Sequence, residues 1–499
     1  MKKTLTDDRP MLNAYPDSCG GRLSEMINIL KKDELKDTFS SFYILPSIYH
    51  SDLDRGFSVI DYDLNEDYAS ASDLDALSDL GIDMKLDLIL NHASTLSPQF
   101  QDLLKNGDRS IYADFFIDWN RFWDGYGSLT DEGYIRPDDE YIKDMFFRKP
   151  GLPLLMVQMP DGTKKPYWNT FYQEIKELPD GKIRYLGQMD LDINSPLVWD
   201  FYRETLERLA GYGAKIIRLD AFAYAPKAPG RKNFLNEPET WDVLSRVGDI
   251  ASKNDLLLLP EIHASYSEKI YEKISSKGYM TYDFFLPGLL IHCIEKKDPS
   301  PLVAWAEELS EKGIRTVNML GCHDGIPVLD LKGLLSDSQI DELIETIVSR
   351  GGYVKDLHGK KNMYYQVNAA YYSALGENDA KMLLARAIQM FMPGKPQVWY
   401  LDLFGGKNDY KAVELAGPGG HKEINRSNLS VKDVEEALKK DVVKGQLDLL
   451  RLRNTHPAFG PGSRLDISSS GSRLVMTRTA GDHSITLNAD LSDSSYRIS

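Results

Sequence analysis

The sequence predicts an α/β protein, a (β/α)8 barrel with an inserted subdomain and a small C-terminal β domain. Short apolar runs alternate with amphipathic stretches along most of the chain, as βαβ units require. Several of the runs end in or are closely followed by Asp, Asn, His, Arg or Glu, which is where a barrel of this kind carries its active site. At 499 residues the chain is long enough for a barrel of roughly 250 residues plus insertions.

Taken in order, the strand-like runs fall at 42–46, 84–92, 215–220, 256–261, 281–284, 316–320 and 396–400. Amphipathic stretches at 74–80, 196–209, 238–250 and 379–392 read as helices packed on the outside. The rhythm breaks twice. Residues 101–188 are rich in aromatics, charge and turn pairs such as Asp124-Gly125 and Pro179-Asp180-Gly181, and are expected to form an inserted domain. Residues 326–376, with Arg350-Gly351-Gly352 and His358-Gly359-Lys360-Lys361, are expected to form a second insertion. The barrel is then assigned to 1–100, 189–325 and 377–456, and the β appendage to 457–499.

Composition narrows the function classes. Apolar residues make up 42% and charged residues 27%, the balance of a soluble globular protein. The formal net charge of −16 disfavours nucleic acid or an anionic membrane as the main partner. No stretch is apolar for long enough to span a membrane, and no apolar segment follows Met1-Lys2-Lys3, so neither a span nor a leader peptide is expected. Three cysteines, Cys19, Cys293 and Cys322, show neither a paired nor a metal-ligand spacing; a cytoplasmic location without metal or cofactor is the expectation.

The candidate chemistry lies at the run ends. Asp87, Asn91 and His92 close one run, and Arg218 and Asp220 another. Glu261 and His263 follow a third, and His323 and Asp324 a fourth. A single Asp at a strand end is more often a helix cap, and a lone His more often a satisfied structural residue. Four such clusters in succession are hard to explain as capping. Carboxylates in this number suit cleavage of a glycosidic bond with retention, in which one attacks the anomeric carbon and another protonates the leaving oxygen. Asp220 is the candidate nucleophile, and Arg218, on the same strand face, is expected to hold it ionised. Glu261 is the candidate acid/base, its pKa expected to be raised by an apolar setting and by Asp220. Asp324 is the candidate for gripping sugar hydroxyls more tightly in the transition state.

These clusters resemble the four signature regions of glycoside hydrolase family 13, the α-amylase family: Asp87-Leu-Ile-Leu-Asn91-His92, Ile217-Arg218-Leu219-Asp220-Ala221, Pro260-Glu261-Ile262-His263 and Gly321-Cys322-His323-Asp324-Gly325. Within it the chain is most similar to the sucrose phosphorylase subfamily, through segments such as Asp54-Arg55-Gly56-Phe57, Tyr365-Gln366-Val367-Asn368 and Glu423-Ile424-Asn425-Arg426. The resemblance implies that inorganic phosphate intercepts a glucosyl-enzyme to give α-glucose 1-phosphate. It implies that Asp54, Phe57, His92, Arg218, His323 and Arg426 frame the glucose, and that Arg148, Tyr224, His263, Tyr365 and Gln366 face the acceptor or phosphate. A phosphate dianion among carboxylates needs a cation, for which Arg148 and His263 are suited; Lys149 is expected to be a solvated charge. The partners are therefore a small-molecule sugar and phosphate, with the chain a monomer or homodimer.

The chain departs from the subfamily pattern at Asn362-Met363-Tyr364, where an Asp that shapes the acceptor site is missing, in the extra positive charge of Arg231 and Lys232, and in an additional loop at 172–188. Acceptors other than fructose, including fructose 6-phosphate, glycerol and glycerate, stay open, as does a hydrolase or transglucosidase. A non-catalytic binding protein would have lost one of the three carboxylates.

Overall fold

The computed structural model describes residues 7–499 apart from 146, 182, 357–363 and 418. The departure at Asn362-Met363 and the turn signal at His358–Lys361 lie outside the described residues. Eight parallel strands form the core: β1 (Met11–Ala14), β2 (Ser41–Ile44), β3 (Asp83–Ile89), β4 (Ala214–Asp220), β5 (Leu257–Pro260), β6 (Thr281–Asp283), β7 (Thr316–Met319) and β8 (Lys395–Trp399). Their hydrogen-bonded order is β5-β4-β3-β2-β1-β8-β7-β6, chain order around a ring with its seam between β5 and β6. This is the expected (β/α)8 barrel, nearly closed. The strands are buried on both faces, which is why they read as continuous apolar runs rather than alternating ones.

Helices clothe the barrel because their apolar residues fall on one face. Pro196–Gly211 buries Val198, Trp199, Tyr202, Leu206 and Leu209, and Glu239–Lys253 buries Trp241, Leu244, Val247 and Ala251. Pro196 starts the first of these where its missing N–H costs nothing.

Between β3 and β4 the chain builds three antiparallel hairpins and a small aromatic core of Ile117, Trp119, Trp123 and Trp168. The last hairpin pairs Gln173–Glu177 with Ile183–Asp190, and the end of its second strand pairs with His92–Ser94 just beyond β3. The loop at 172–188 is thus tied to the barrel rim. At the C-terminus, β9 (Arg464–Ser470), β10 (Arg473–Ala480), β11 (His483–Asp490) and β12 (Ser495–Ile498) form an antiparallel sheet. Leu474, Met476 and Leu487 are buried in it, and the buried Arg478 donates to the carbonyls of Phe391 and Met392 at the end of the helix Asp379–Phe391. Among the described residues, no helix is long and apolar enough to cross a membrane.

Candidate active site

The parallel register brings the strand-end residues together. Arg218 on β4 lies opposite Asp87 on β3 and Leu259 on β5, so the next residues along, Asp220 and Glu261, emerge at the same rim. Arg218 is almost fully buried and binds three carboxylates: its Nη1 is 2.7 Å from Asp87 Oδ1 and 2.8 Å from Asp220 Oδ1, and its Nη2 is 2.7 Å from Glu261 Oε1. The Tyr43 hydroxyl donates to Asp87 at 3.0 Å. Ala221, immediately after Asp220, takes a left-handed conformation (φ 52°), and its N–H donates to Glu261 Oε2 at 3.3 Å. Such backbone geometry at a non-glycine residue marks a position over-determined by its surroundings.

A second cluster faces the first. Asp324 Oδ2 lies 3.3 Å from His323 Nε2, and Phe57 stacks on the His323 ring at 5.0 Å. Arg426 Nε donates to the His323 carbonyl at 2.7 Å, and its Nη1 lies 3.5 Å from Asp54 Oδ1. His92 Nε2–H donates to the Phe57 carbonyl at 3.0 Å. The loop carrying His323 can lie this deep because residue 321 is glycine: a Cβ there would sit 2.2 Å from Asp402 Oδ2.

The third cluster closes the other side. Arg148 Nε donates to the Tyr224 hydroxyl at 2.7 Å, and its guanidinium lies 4.8 Å from the Tyr365 ring centre. His263 stacks on Phe284 at 3.8 Å, donates through Nδ1 to Asp330 at 3.2 Å and points Nε2 at Glu261 Oε1, 3.7 Å away. Gln366 is held by Asn368 at 3.2 Å.

All three clusters surround one cavity of about 510 Å³. It is lined by twelve of the fourteen residues expected from sequence; Arg218 and Arg426 stand behind the wall and hold the carboxylates that line it. Twelve further residues line it that were not expected there, among them Lys149, Phe171, Tyr172 and Lys422. Lys149 is not a solvated charge. It is half-buried, and its Nζ donates to the amide oxygens of Asn169 and, at 2.8 Å, Gln173 of the inserted hairpin. Lys422 Nζ lies 2.8 Å from Asp324 Oδ1 and 3.9 Å from Asp54 Oδ2. The extra positive charge at 227–232 goes elsewhere: Lys227 is buried in an ion pair with Asp190 at 2.8 Å, while Arg231 is exposed, 3.5 Å from Glu239, and does not line the cavity. Only the presence of a basic residue signals Lys149 and Lys422 in the sequence; their burial depends on contacts far along the chain.

The electrostatics correct two expectations, that Arg218 holds the Asp220 pKa down and that Glu261 is raised. Arg218 does not serve Asp220 alone. Burial, opposed by Arg218 and reinforced by Glu261, pushes the Asp220 carboxyl well above its ordinary value. Burial acts the same way on Glu261, but Arg218 and the neighbouring His263 outweigh it and hold that carboxyl low. The two carboxyls share one guanidinium, so they titrate as a pair. His263 resists the loss of charge that burial favours, because Asp330 and Glu261 push its pKa up to about 9. His323 is driven down to about 3 by burial and by repulsion from Arg218, Arg426 and Lys422, so its ring is neutral. Its Nδ1 is buried with no hydrogen-bond partner among the described residues. Burial lowers Lys149 to about 7. No group of three or more His, Cys, Asp or Glu that could hold a metal occurs among the described residues.

No family model matches the chain. It is similar over its whole length to the sucrose 6(F)-phosphate phosphorylase of Ilumatobacter coccineus, with 54% identity covering 96% of that protein. It is 33% identical to the sucrose phosphorylase of Streptococcus mutans, covering 98% of this chain and 97% of the other. The crystal structure of sucrose 6F-phosphate phosphorylase from Thermoanaerobacter thermosaccharolyticum superposes with a TM-score of 0.89 at 33% identity, covering 99% of this chain and 96% of that one. An α-amylase from H. orenii, at 16% identity and a TM-score of 0.66 over 97% of this chain and 90% of that one, shares the fold. With its signature residues assembled around one cavity, the chain belongs to the sucrose phosphorylase family within the α-amylase family, glycoside hydrolase family 13.

Proposed function

We propose that the protein is a retaining α-glucosyl phosphorylase that cleaves sucrose phosphorylated on its fructose unit and releases α-glucose 1-phosphate. Asp220 attacks the anomeric carbon and forms a covalent glucosyl-enzyme, while Glu261 protonates the departing fructosyl oxygen. Inorganic phosphate then attacks the same carbon and Glu261 accepts the proton of the incoming group, so the configuration is inverted twice and retained. Two carboxylate oxygens held by neighbouring nitrogens of one guanidinium suit the close approach, about 5 Å, of a retaining pair. Asp324, His92, His323 and Asp54 grip the glucose, with Phe57 packed beside it and Arg426 holding Asp54 from behind. Arg148, His263, Tyr224, Tyr365 and Gln366 receive phosphate or the acceptor.

The chemistry needs an ionised Asp220 and a protonated Glu261; bringing the anomeric carbon to Asp220 favours that distribution, because the carboxylate's negative charge is stabilised as the oxocarbenium ion develops. His263, charged at neutral pH and 3.7 Å from Glu261, offers the incoming phosphate a positive charge.

The observation that carries the acceptor assignment is Lys149. It adds a second basic group next to Arg148 on one cavity wall of a protein with net charge −16; its hydrogen bonds go to neutral amides and burial lowers it to about 7, so a bound anion would draw it into the charged form. Inorganic phosphate and a phosphorylated sugar are two anionic groups, and a wall with more than one cation suits both. Synthesis from glucose 1-phosphate with fructose 6-phosphate, fructose, glycerol and glycerate tests this: fructose 6-phosphate should give the highest kcat/KM, and faster use of any neutral acceptor would refute the assignment. Glucose release from the phosphorylated disaccharide at equal speed with and without phosphate would instead mark a hydrolase. We assign the enzyme to the cytoplasm; its three cysteines are buried and free, in keeping with a reducing compartment.

A further inference from the structure

Lys422 is a cation of the cavity that the double displacement above does not use. It stands on the turn Gly420–Asn425, which leads directly into Arg426. Its side chain is 15% exposed, and its Nζ bridges two carboxylates from different parts of the barrel rim: Asp324, from the loop after β7, at 2.8 Å and Asp54 at 3.9 Å.

The groups around Asp324 show what Lys422 supplies. Cys322 and His323 come from its own loop, Asp54 from the loop after β2, Glu261 from the end of β5, Tyr172 from the inserted hairpin, Arg218 from β4 and Arg426 from the residue after the turn. Asp54 and Glu261 are like charges. His323 meets one Asp324 oxygen but has a neutral ring. Arg218 is committed to Asp87, Asp220 and Glu261, and Arg426 to Asp54, Glu423 and the His323 carbonyl. Among the described residues, Lys422 is the one permanently charged cation in direct contact with Asp324.

We propose that Lys422 is a positioning residue for glucosyl transfer, keeping Asp324 ionised and fixed in orientation so that it can tighten its hold on the sugar hydroxyls as the ring flattens. The inference rests on the reading of Asp324 as the transition-state carboxylate. An opposite charge in direct contact lowers a carboxyl pKa by about 1 to 3 units, and like charges nearby raise it. Asp324 is indeed held well below its ordinary value, burial being outweighed by Lys422, His323 and Arg426. Without Lys422, Asp324 faces Asp54 and Glu261 with only longer-range cations to offset them, so it takes up a proton at a higher pH.

The test is the pH dependence of kcat/KM for glucose 1-phosphate over about pH 3 to 8 in wild type, Lys422→Met and Lys422→Arg, with melting temperatures in parallel. Lys422→Met should move the acidic limb upward by about one unit and lose roughly tenfold at the acid end, recovering toward wild type as pH rises. Lys422→Arg should return the limb to its wild-type position. A Lys422→Met profile with an unmoved limb, or a loss that is uniform across pH, overturns the proposal, because a purely structural role acts equally at every pH. If Lys422→Met lacks a cooperative melting transition, Lys422→Gln carries the same test. Asp324→Asn run alongside separates the two ideas: an active Asp324→Asn removes the reading of Asp324, whereas an inactive one beside an unmoved limb removes only the role of Lys422.

Discussion

Arg218 concentrates the site's electrostatics in one side chain. A guanidinium offers a planar fork of donors that a lysine cannot, and here the fork joins Asp87, Asp220 and Glu261. Removing either reacting carboxylate disables a unit rather than a single contact, so Asp220→Asn and Glu261→Gln should each lower kcat by at least about 10³-fold. Steady-state rates with glucose 1-phosphate check this, and near-normal turnover in either variant rules out the role given to it. His263 gives a second prediction. Its raised pKa leaves it charged at neutral pH, and that charge is lost as pH rises through about 9. The KM for phosphate should therefore climb above that pH in wild type. In His263→Asn it should be higher at neutral pH and free of that rise.

At the scale of elements, strand ends carry the carboxylates proposed to react, and an inserted hairpin packs against Lys149. The paired strands Gln173–Glu177 and Ile183–Asp190 are largely exposed over their outer half, yet Gln173 and Gln188 at their inner end reach the cavity wall. Gln173 holds Lys149, and Gln188 donates to the Phe57 carbonyl at 3.1 Å. If the hairpin is there to place Lys149, Lys149→Met should raise the KM for fructose 6-phosphate by about tenfold or more, the loss expected for a charge-assisted hydrogen bond, and leave the KM for fructose nearly unchanged. Gln173→Ala should show the same pattern more weakly. An equal change for both acceptors would place Lys149 outside the acceptor site.

At the scale of the whole molecule, the barrel encloses titratable groups far from the cavity. Asp402, after β8, is fully buried and accepts from the Tyr371 N–H at 3.2 Å. Burial, only partly offset by Arg386, pushes its pKa up to about 7. The native state then keeps a proton that the unfolded chain releases near pH 4, so stability from this group is complete at acid pH and is lost as pH rises toward about 7. The full shift corresponds to on the order of 4 kcal/mol. Melting temperatures from about pH 5 to 8 should fall less steeply in Asp402→Asn than in wild type. Identical slopes would show that Asp402 ionises without cost. Because Gly321 packs on this carboxyl, the same variant reports on how firmly the His323–Asp324 loop is held.

The barrel was legible in the sequence because its strands, buried on both faces, read as continuous apolar runs and its helices, buried on one, as a helical repeat. Seven of the eight strands stand out as apolar runs; Met11–Ala14 does not, being four residues between a proline and a tyrosine with no partner nearby in sequence. The residues around the cavity were legible where they close a strand or sit in a compact motif, because strand direction alone delivers them to one rim. What the sequence by itself determined was therefore the barrel and the motif residues at its rim. The tertiary structure alone decided the sharing of Arg218 between Asp220 and Glu261, the burial of Lys149 against a hairpin some 20 residues on, and the contact of Lys422 with Asp324 and Asp54. Each of these depends on distance through space between segments remote in the chain, and a charge acquires its sign, strength and pKa from neighbours that local sequence does not name.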